Sequence, residues 1–172
     1  MLVPPPIVAL AAGLGQRALA GRPQRPGFVR AGVAVAVVAG SVASAVTAAR
    51  GFRREGTTLS PERPGDASVL VTTGAHAVSR NPMYLGLTGV LVANAIRLRS
   101  WTALLPLAAF VAFVDRVQIP SEEAALLDHF GAEYDAYRAR VPRWLDQRSV
   151  DAAREALAAV RRPTPGAGSV GR

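Results

Sequence analysis

Cysteine is absent from the 172 residues, which excludes disulfides, thiolate metal sites and a Cys nucleophile. Lysine is absent too: all 20 basic residues are arginine. With Ala, Gly and Pro abundant, that fits codon bias in a GC-rich genome. Histidine is scarce. His76 and His129 stand far apart with no ligand spacing around either, so no metal site is expected. Aromatics make up only 6% of a chain that is 50% hydrophobic, with a mean hydropathy of +0.22. Apolar content resting on Ala, Val and Leu suits helices in lipid better than a ring-filled core in water.

The net charge of +8 has two readings. Nucleic-acid binding wants a basic face on a soluble domain. Here the arginines fall between and after apolar runs, as in a membrane protein that holds Arg against headgroups. No nucleic-acid partner is expected. The opening MLVPPPIVAL lacks a basic n-region and is not read as a signal peptide.

Four apolar segments organise the chain. Val3 to Gly15 carries Pro4, Pro5 and Pro6, ends at Gln16 and Arg17, and is weak as a span. Ala31 to Ala49 is the clearest: 19 uncharged residues, or ~28 Å of helix against a hydrocarbon layer of similar thickness. Ala36, Gly40, Ser44 and Ala48 recur along it every fourth residue, a stripe suited to close helix packing. Met83 to Ile96 and Trp101 to Val114 have 14 residues each, joined by Arg97 to Ser100 as a tight helical hairpin. Pro106 is expected to kink the second, and Asn94 to bridge helices by a hydrogen bond. Trp101 and Trp144 read as interfacial anchors.

Between the second and third segments lies a polar loop, Arg50 to Pro82, with a short β-prone run from Ser68 to Thr73. After Pro120 the chain turns water-compatible. Ser121 is placed to cap a new helix, and Leu127, Phe130, Tyr134, Tyr137 and Val141 form one apolar stripe along it. Asp151 to Arg162 reads as a final helix and 163–172 as a disordered tail. The expected fold is therefore all-α: a single integral membrane domain over 1–162, with about four transmembrane helices and a C-terminal cytoplasmic amphipathic helix. If all four segments span, the Arg50–Pro82 loop and the C-terminal region share one side. Both are Arg-rich, which assigns them to the cytoplasm of a bacterial plasma membrane. The first loop, with Arg17, Arg22, Arg25 and Arg30, then faces outward against the same rule.

Two segments carry chemistry. In VTTGAHAVSRNPMYLGL, Val71 to Leu87, Arg80 and Asn81 sit just ahead of Pro82, which fixes φ for a helix start. Tyr84 follows one turn in, and Gly86 and Gly89 leave room for a ligand or a helix. In QIPSEEAALLDHFGAEYDAYRARVPRW, Gln118 to Trp144, adjacent carboxylates Glu122 and Glu123 follow an apolar helix. Asp115 and Arg116 lie just inside its end and should face protein or a wet cavity. Taken singly these residues also have plain readings. The glutamates complement a helix dipole, Arg80 and Tyr84 anchor at headgroups, and His76 is a loop residue.

Together, the order Arg80-x-Pro82-x-Tyr84-x-Gly86, an apolar hairpin, then Glu122-Glu123 resembles the isoprenylcysteine carboxyl methyltransferases and related phospholipid methyltransferases. FGAEYDAYRARVPRW looks like that family's C-terminal segment, and the resemblance runs roughly from Gly74 to Trp144. Asn81 stands where the family has histidine, and Gly74, Ala75 and His76 where it has Gly-Pro-Tyr.

The resemblance implies an enzyme using S-adenosylmethionine as methyl donor, with a lipophilic or lipid acceptor. It implies Arg80, Glu122 and Glu123 as catalytic, and His76, Asn81, Pro82, Tyr84, Gly86, Glu122 and Glu123 as cofactor-binding. The donor's cationic parts suit carboxylates; its own carboxylate suits Arg80 and helix-start N–H groups. Two rivals stand beside this reading. Isoprenoid and sterol-type membrane reductases using NADPH share a similar C-terminal pattern, though no Gly-rich dinucleotide fingerprint occurs here. A non-enzymatic lipid-binding membrane protein is the other.

Overall fold

The computed structural model describes residues 3–21, 26–54 and 69–161, and every regular element among them is helical. Helix α1 (Pro5–Leu19) starts with prolines in its first turn, where a missing N–H breaks no bond. It does not stop at Gln16 as the sequence predicts. Gln16 is fully buried, and its Nε2 donates to the carbonyls of Leu91 and Ala103, each at 3.0 Å. Asn94 Nδ2 donates to Gln16 Oε1 at 2.9 Å. A buried amide is tolerated because both its ends are satisfied. Asn94 does bridge helices, and Gln16 is its partner.

Helix α2 (Phe28–Arg54) runs antiparallel to α3 (Pro82–Leu98). Val37 and Ser41 lie against Gly89, Ser41 and Ala45 against Gly86, and Ser44 Oγ donates to the Pro82 carbonyl at 3.3 Å. Between helices in lipid there is little hydrophobic drive, so close backbone approach and interhelical hydrogen bonds hold the pair. The expected small-residue stripe is half right. Ala48 is buried and Ser44 is bonded, but Ala36 is exposed and Gly40 faces open space. The buried face is Ala34, Ser41 and Ala48, and the glycines that permit close contact sit on α3.

The largest correction lies after the hairpin. Arg99, at φ 54, ends α3 in the left-handed region. A 3-10 turn (Trp101–Ala103), α4 (Leu104–Phe113), a π-turn (Val114–Gln118) and α5 (Ile119–Phe130) then follow without a break. They make one apolar rod, Trp101–Phe130, of 30 residues. No new helix begins at Ser121. The wide π-turn ends at Gln118, two residues before Pro120. There it relieves the ladder where proline lacks an N–H and its ring would strike a carbonyl one turn back. Pro106 falls in the first turn of α4, so the kink expected of it has no cause.

The rod ends at Gly131, whose φ of 50 suits glycine, and α6 (Ala132–Arg140) follows in a new direction. The single helix expected over 121–141 is thus two. Its apolar stripe survives as a cluster of Tyr134, Tyr137 and Val141 with Leu126, Leu127, Phe130 and Leu70. Residues 69–73 are irregular rather than a strand; Ser68, the rest of the loop 55–68 and the expected tail 163–172 lie outside the described residues. Helix α7 (Gln147–Arg161) begins ahead of the expected Asp151.

Among the described residues, two helices are long and apolar enough to cross a bilayer: Phe28–Gly51 and the rod Trp101–Phe130. Only 17% and 28% of their apolar windows are buried, unlike core helices of a protein folded in water. The ends sort into two groups. Ala20 packs against Leu98 and Ala103 at one end, where Thr102 Oγ1 donates to the Leu19 carbonyl at 2.6 Å. Gly74–Asn81, the start of α3 and the segments after α5 gather at the other.

Candidate active site

Pro82 opens α3, and the residues just before it meet the chain after α6. The backbone N–H of Arg80 donates to the Pro142 carbonyl at 2.9 Å. Ser79 Oγ and Asn81 Nδ2 both donate to the Arg143 carbonyl, at 3.0 and 3.1 Å. Asn81 therefore clasps the 142–143 segment and gives α3 no side-chain cap. Downstream, Ser149 Oγ donates to the Val78 carbonyl at 2.6 Å. Strand-like pairing is absent here, yet four consecutive loop residues, Val78 to Asn81, are tied to the segment from Pro142 to Ser149.

Beside this corner stand the two glutamates, and their surroundings differ. Glu122 Oε1 accepts from Tyr84 Oη at 2.6 Å and from Gln118 Nε2 at 2.9 Å. Gln118 precedes it by one turn on the same rod, and Tyr84 reaches across from α3. Glu122 Oε2 takes no hydrogen bond from the described residues. Glu123 is fully engaged. Arg143 grips it with two bonds, Nε to Oε1 at 3.1 Å and Nη2 to Oε2 at 2.6 Å, and Arg80 Nη1 lies 3.2 Å from Oε1. Arg143 Nη1 also reaches Asp115 Oδ1 at 3.3 Å, and Trp144 Nε1 donates to the same oxygen at 2.8 Å. Asp115 thus faces protein, as an ionisable group in an apolar helix should. Trp144 packs against the apolar cluster of Tyr84, Phe110 and Ile119 rather than standing free as an interfacial anchor.

The Glu123 hydrogen bond, foremost among several carboxylate contacts, pushes the Arg143 guanidinium above its ordinary value. It stays charged at every accessible pH. Burial raises the Tyr137 phenol, which remains a donor to the His76 carbonyl at 2.8 Å. Burial also pushes the His76 imidazole down to about 4.

The expected site residues therefore divide. Arg80, Asn81, Pro82, Tyr84, Glu122 and Glu123 come together around the Arg80 corner. The His76 main-chain carbonyl accepts from Tyr137. The room at Gly86 is taken by α2: a Cβ there would meet the Ser41 carbonyl oxygen at 2.9 Å. Gly86 serves helix packing, not an open face. Sequence reading missed Arg143, Asp115 and Gln118 as members of the cluster. Signals existed: Gln118 lies four residues before Glu122, and Arg143 sits in a Val-Pro-Arg-Trp run that cannot continue a helix.

The cluster keeps open polar atoms that could meet a ligand carrying both charges. Arg80 Nε is buried and without a hydrogen-bond partner, as is Gln118 Oε1 beside Glu122. A buried donor and acceptor left open in a polar cluster are costly unless a ligand completes them. With Glu122 Oε2, they offer a guanidinium N–H to a carboxylate and acceptor oxygens to ammonium or hydroxyl groups.

Comparison with known proteins bears on the same residues. The family model for phospholipid methyltransferase matches residues 29–133, more than half of the chain. That range takes in α2, α3, the hairpin and the rod with both glutamates. An uncharacterized protein of Haemophilus influenzae is 38% identical over 63 residues, which are 37% of this chain and 100% of that protein. No solved structure matches. The Arg80 corner, the folded hairpin and the acid pair lie within or beside the matched range, and the chain belongs to the phospholipid methyltransferase family.

Proposed function

We propose that this protein transfers a methyl group from S-adenosylmethionine to a lipophilic acceptor, a carboxylate or a lipid headgroup, at the cytoplasmic membrane face. The family implies methyl transfer to lipid-like substrates. The observation that carries the finer reading is the juxtaposition across the hairpin: Tyr84 bonded to Glu122 while Arg80 pairs with Glu123.

Bound there, the donor would supply an electrophilic methyl group on a sulfonium. The chain's residues bind and orient. Arg80 offers its open Nε to the donor's carboxylate. Glu122, held by Tyr84 and Gln118, turns Oε2 toward cationic or hydroxyl groups. Glu123 acts differently: fixed by Arg80 and Arg143, it positions Arg80 rather than meeting the donor. Methyl transfer is an in-line displacement, so alignment of acceptor and donor supplies much of the rate gain. A carboxylate acceptor is already a nucleophile and needs no base.

All four helical segments cross the bilayer in this reading. The up–down packing of α1 and α3 with the two long helices supports a common depth for them. Ile7, Leu10 and Leu14 of α1 are 57%, 64% and 64% exposed, as lipid-facing side chains would be. More arginines flank the Arg80 end than the hairpin end, which supports a cytoplasmic site.

The test uses protein in nanodiscs, radiolabelled S-adenosylmethionine and cell lipids. The expected result is a labelled lipid-soluble product, lost in Glu122→Gln, and donor binding visible by calorimetry. Absence of both binding and labelling by well-folded protein would overturn the proposal.

A further inference from the structure

At the end of the bundle away from the Arg80 corner, the charge is of one sign. Arg17 at the end of α1, Arg30 at the start of α2, and Arg97 and Arg99 at the end of α3 are all exposed. Arg22 and Arg25 belong to the connection between α1 and α2. The sequence places no acidic residue among these short connections. Level placement follows from the packing. Gln16 reaches Leu91 and Ala103, and Val37 lies against Gly89. From Gly89 to Arg97 is ~12 Å along α3 and from Val37 back to Arg30 ~10 Å along α2, in the same direction. Phe28 and Trp101, 95% and 87% exposed, stand at this end as well. Exposed aromatics with arginines are the composition of a headgroup-depth belt.

One arginine of the group is fixed from inside. Arg97 Nε and Nη2 both donate to Asn94 Oδ1, at 3.3 and 2.9 Å. Asn94 is in turn held by Gln16, and buried Gln16 by two main-chain carbonyls. This chain of bonds anchors a guanidinium at the bundle's rim while its Nη1 takes no partner among the described residues. An arginine so held loses less freedom on meeting a phosphate than a mobile one.

We propose that Arg97, with Arg17, Arg30 and Arg99 around it, is a binding site for the phosphate of anionic phospholipids in the leaflet opposite the catalytic pocket. The inference rests on the four-span reading, since it needs α1 and α3 to reach that leaflet. The site is a lipid site rather than a catalytic one, and anionic headgroups match its unbroken positive charge.

The test is native mass spectrometry of protein released from nanodiscs of equal phosphatidylglycerol and phosphatidylcholine. Wild type should keep phosphatidylglycerol adducts in clear excess. Arg97→Gln and Arg99→Gln should each reduce that excess about fivefold, the effect of one arginine near a charged surface. Asn94→Ala, which frees Arg97 without changing charge, should reduce it less. Arg17→Gln serves as an independent variant if a substitution at α3 fails to fold. Methyl transfer in zwitterionic nanodiscs should be unchanged in all of them, so failure here is separable from failure of the proposed activity. Equal adduct ratios in wild type and the charge variants would overturn the proposal. So would displacement of the adducts by millimolar inorganic phosphate, which would mark a site for free phosphate.

Discussion

Tyr84 and Glu122, 38 residues apart, are joined by a hydrogen bond of 2.6 Å that closes α3 onto the rod. The phenol is the donor and the carboxylate the acceptor, so the bond is charge-assisted. It occupies one oxygen of Glu122 and leaves the other without a hydrogen bond among the described residues.

Tyr84→Phe removes that bond and keeps the ring. A hydrogen bond to a charged group contributes ~1.5–3 kcal/mol. Donor affinity should fall by about tenfold, at ~1.4 kcal/mol per decade, because only Gln118 then holds Glu122. Glu122→Gln should cost more, since it also removes the charge that meets a cationic ligand. Calorimetric titration of both variants with S-adenosylmethionine checks the order. Unchanged affinity in Glu122→Gln would remove this residue from the site.

The neighbouring glutamate should behave differently. Glu123 is gripped by Arg143 and Arg80, with side chains partly exposed at 18%, 32% and 13%. Removing one partner of such a network leaves charges uncompensated, at a cost between that of exposed and buried pairs, about 2 kcal/mol. Glu123→Ala should therefore lower the unfolding midpoint more than Glu122→Ala does. Arg143→Ala should cost less in the Glu123→Ala background than alone, because the two residues share a contact, although its bond to Asp115 is lost in both. A double-mutant cycle in thermal unfolding checks this.

Much of this corner was legible in the sequence, and the reasons are physical. Pro82 announces a helix start by its fixed φ, and a short polar hairpin between two apolar runs forces them antiparallel. That alone brings Arg80 and the glutamates to the same end. What the sequence hid was continuity. Pro120 followed by Ser-Glu-Glu reads as a cap, and nothing local reveals that a π-turn carries the helix through it. Gln16 was hidden for a similar reason. A polar residue after an apolar run marks an end unless distant carbonyls, here those of Leu91 and Ala103, take it up. The grip of Arg143 on Glu123 depends on the reversal after Val141, a tertiary event that periodicity does not encode.

His76 should give the protein an acid-sensitive step. Burial disfavours its charged form and pushes it from 6.5 to about 4. A histidine lowered on folding contributes stability that is fully present above pH 6.5. That contribution is lost as pH falls from 6.5 toward 4, because the unfolded chain binds the proton first. His76→Gln should flatten this limb. Unfolding midpoints measured at pH 7 and pH 5 should converge in the variant and separate in the wild type. A wild-type midpoint that does not change across that window would count against a buried neutral imidazole.

Gly86 and Gly89 make a last, sharper test of how α2 and α3 meet. A Cβ on Gly89 would strike Ser41 Oγ and lie 3.2 Å from Ser41 Cβ. A Cβ on Gly86 would lie 2.9 Å from the Ser41 carbonyl oxygen, part of the backbone. The first obstacle is a side-chain hydroxyl that a second substitution can delete; the second cannot be removed without moving a helix. Both Gly86→Ala and Gly89→Ala should destabilise, by the ~1–3 kcal/mol typical of overpacking. Ser41→Ala should restore most of the loss in Gly89→Ala and little of it in Gly86→Ala. The same pattern should appear in methyl transfer, because Pro82 and Tyr84 ride on the displaced end of α3. Equal rescue of both glycine variants by Ser41→Ala, read in unfolding midpoints, would mean that the two helices do not pack in this register.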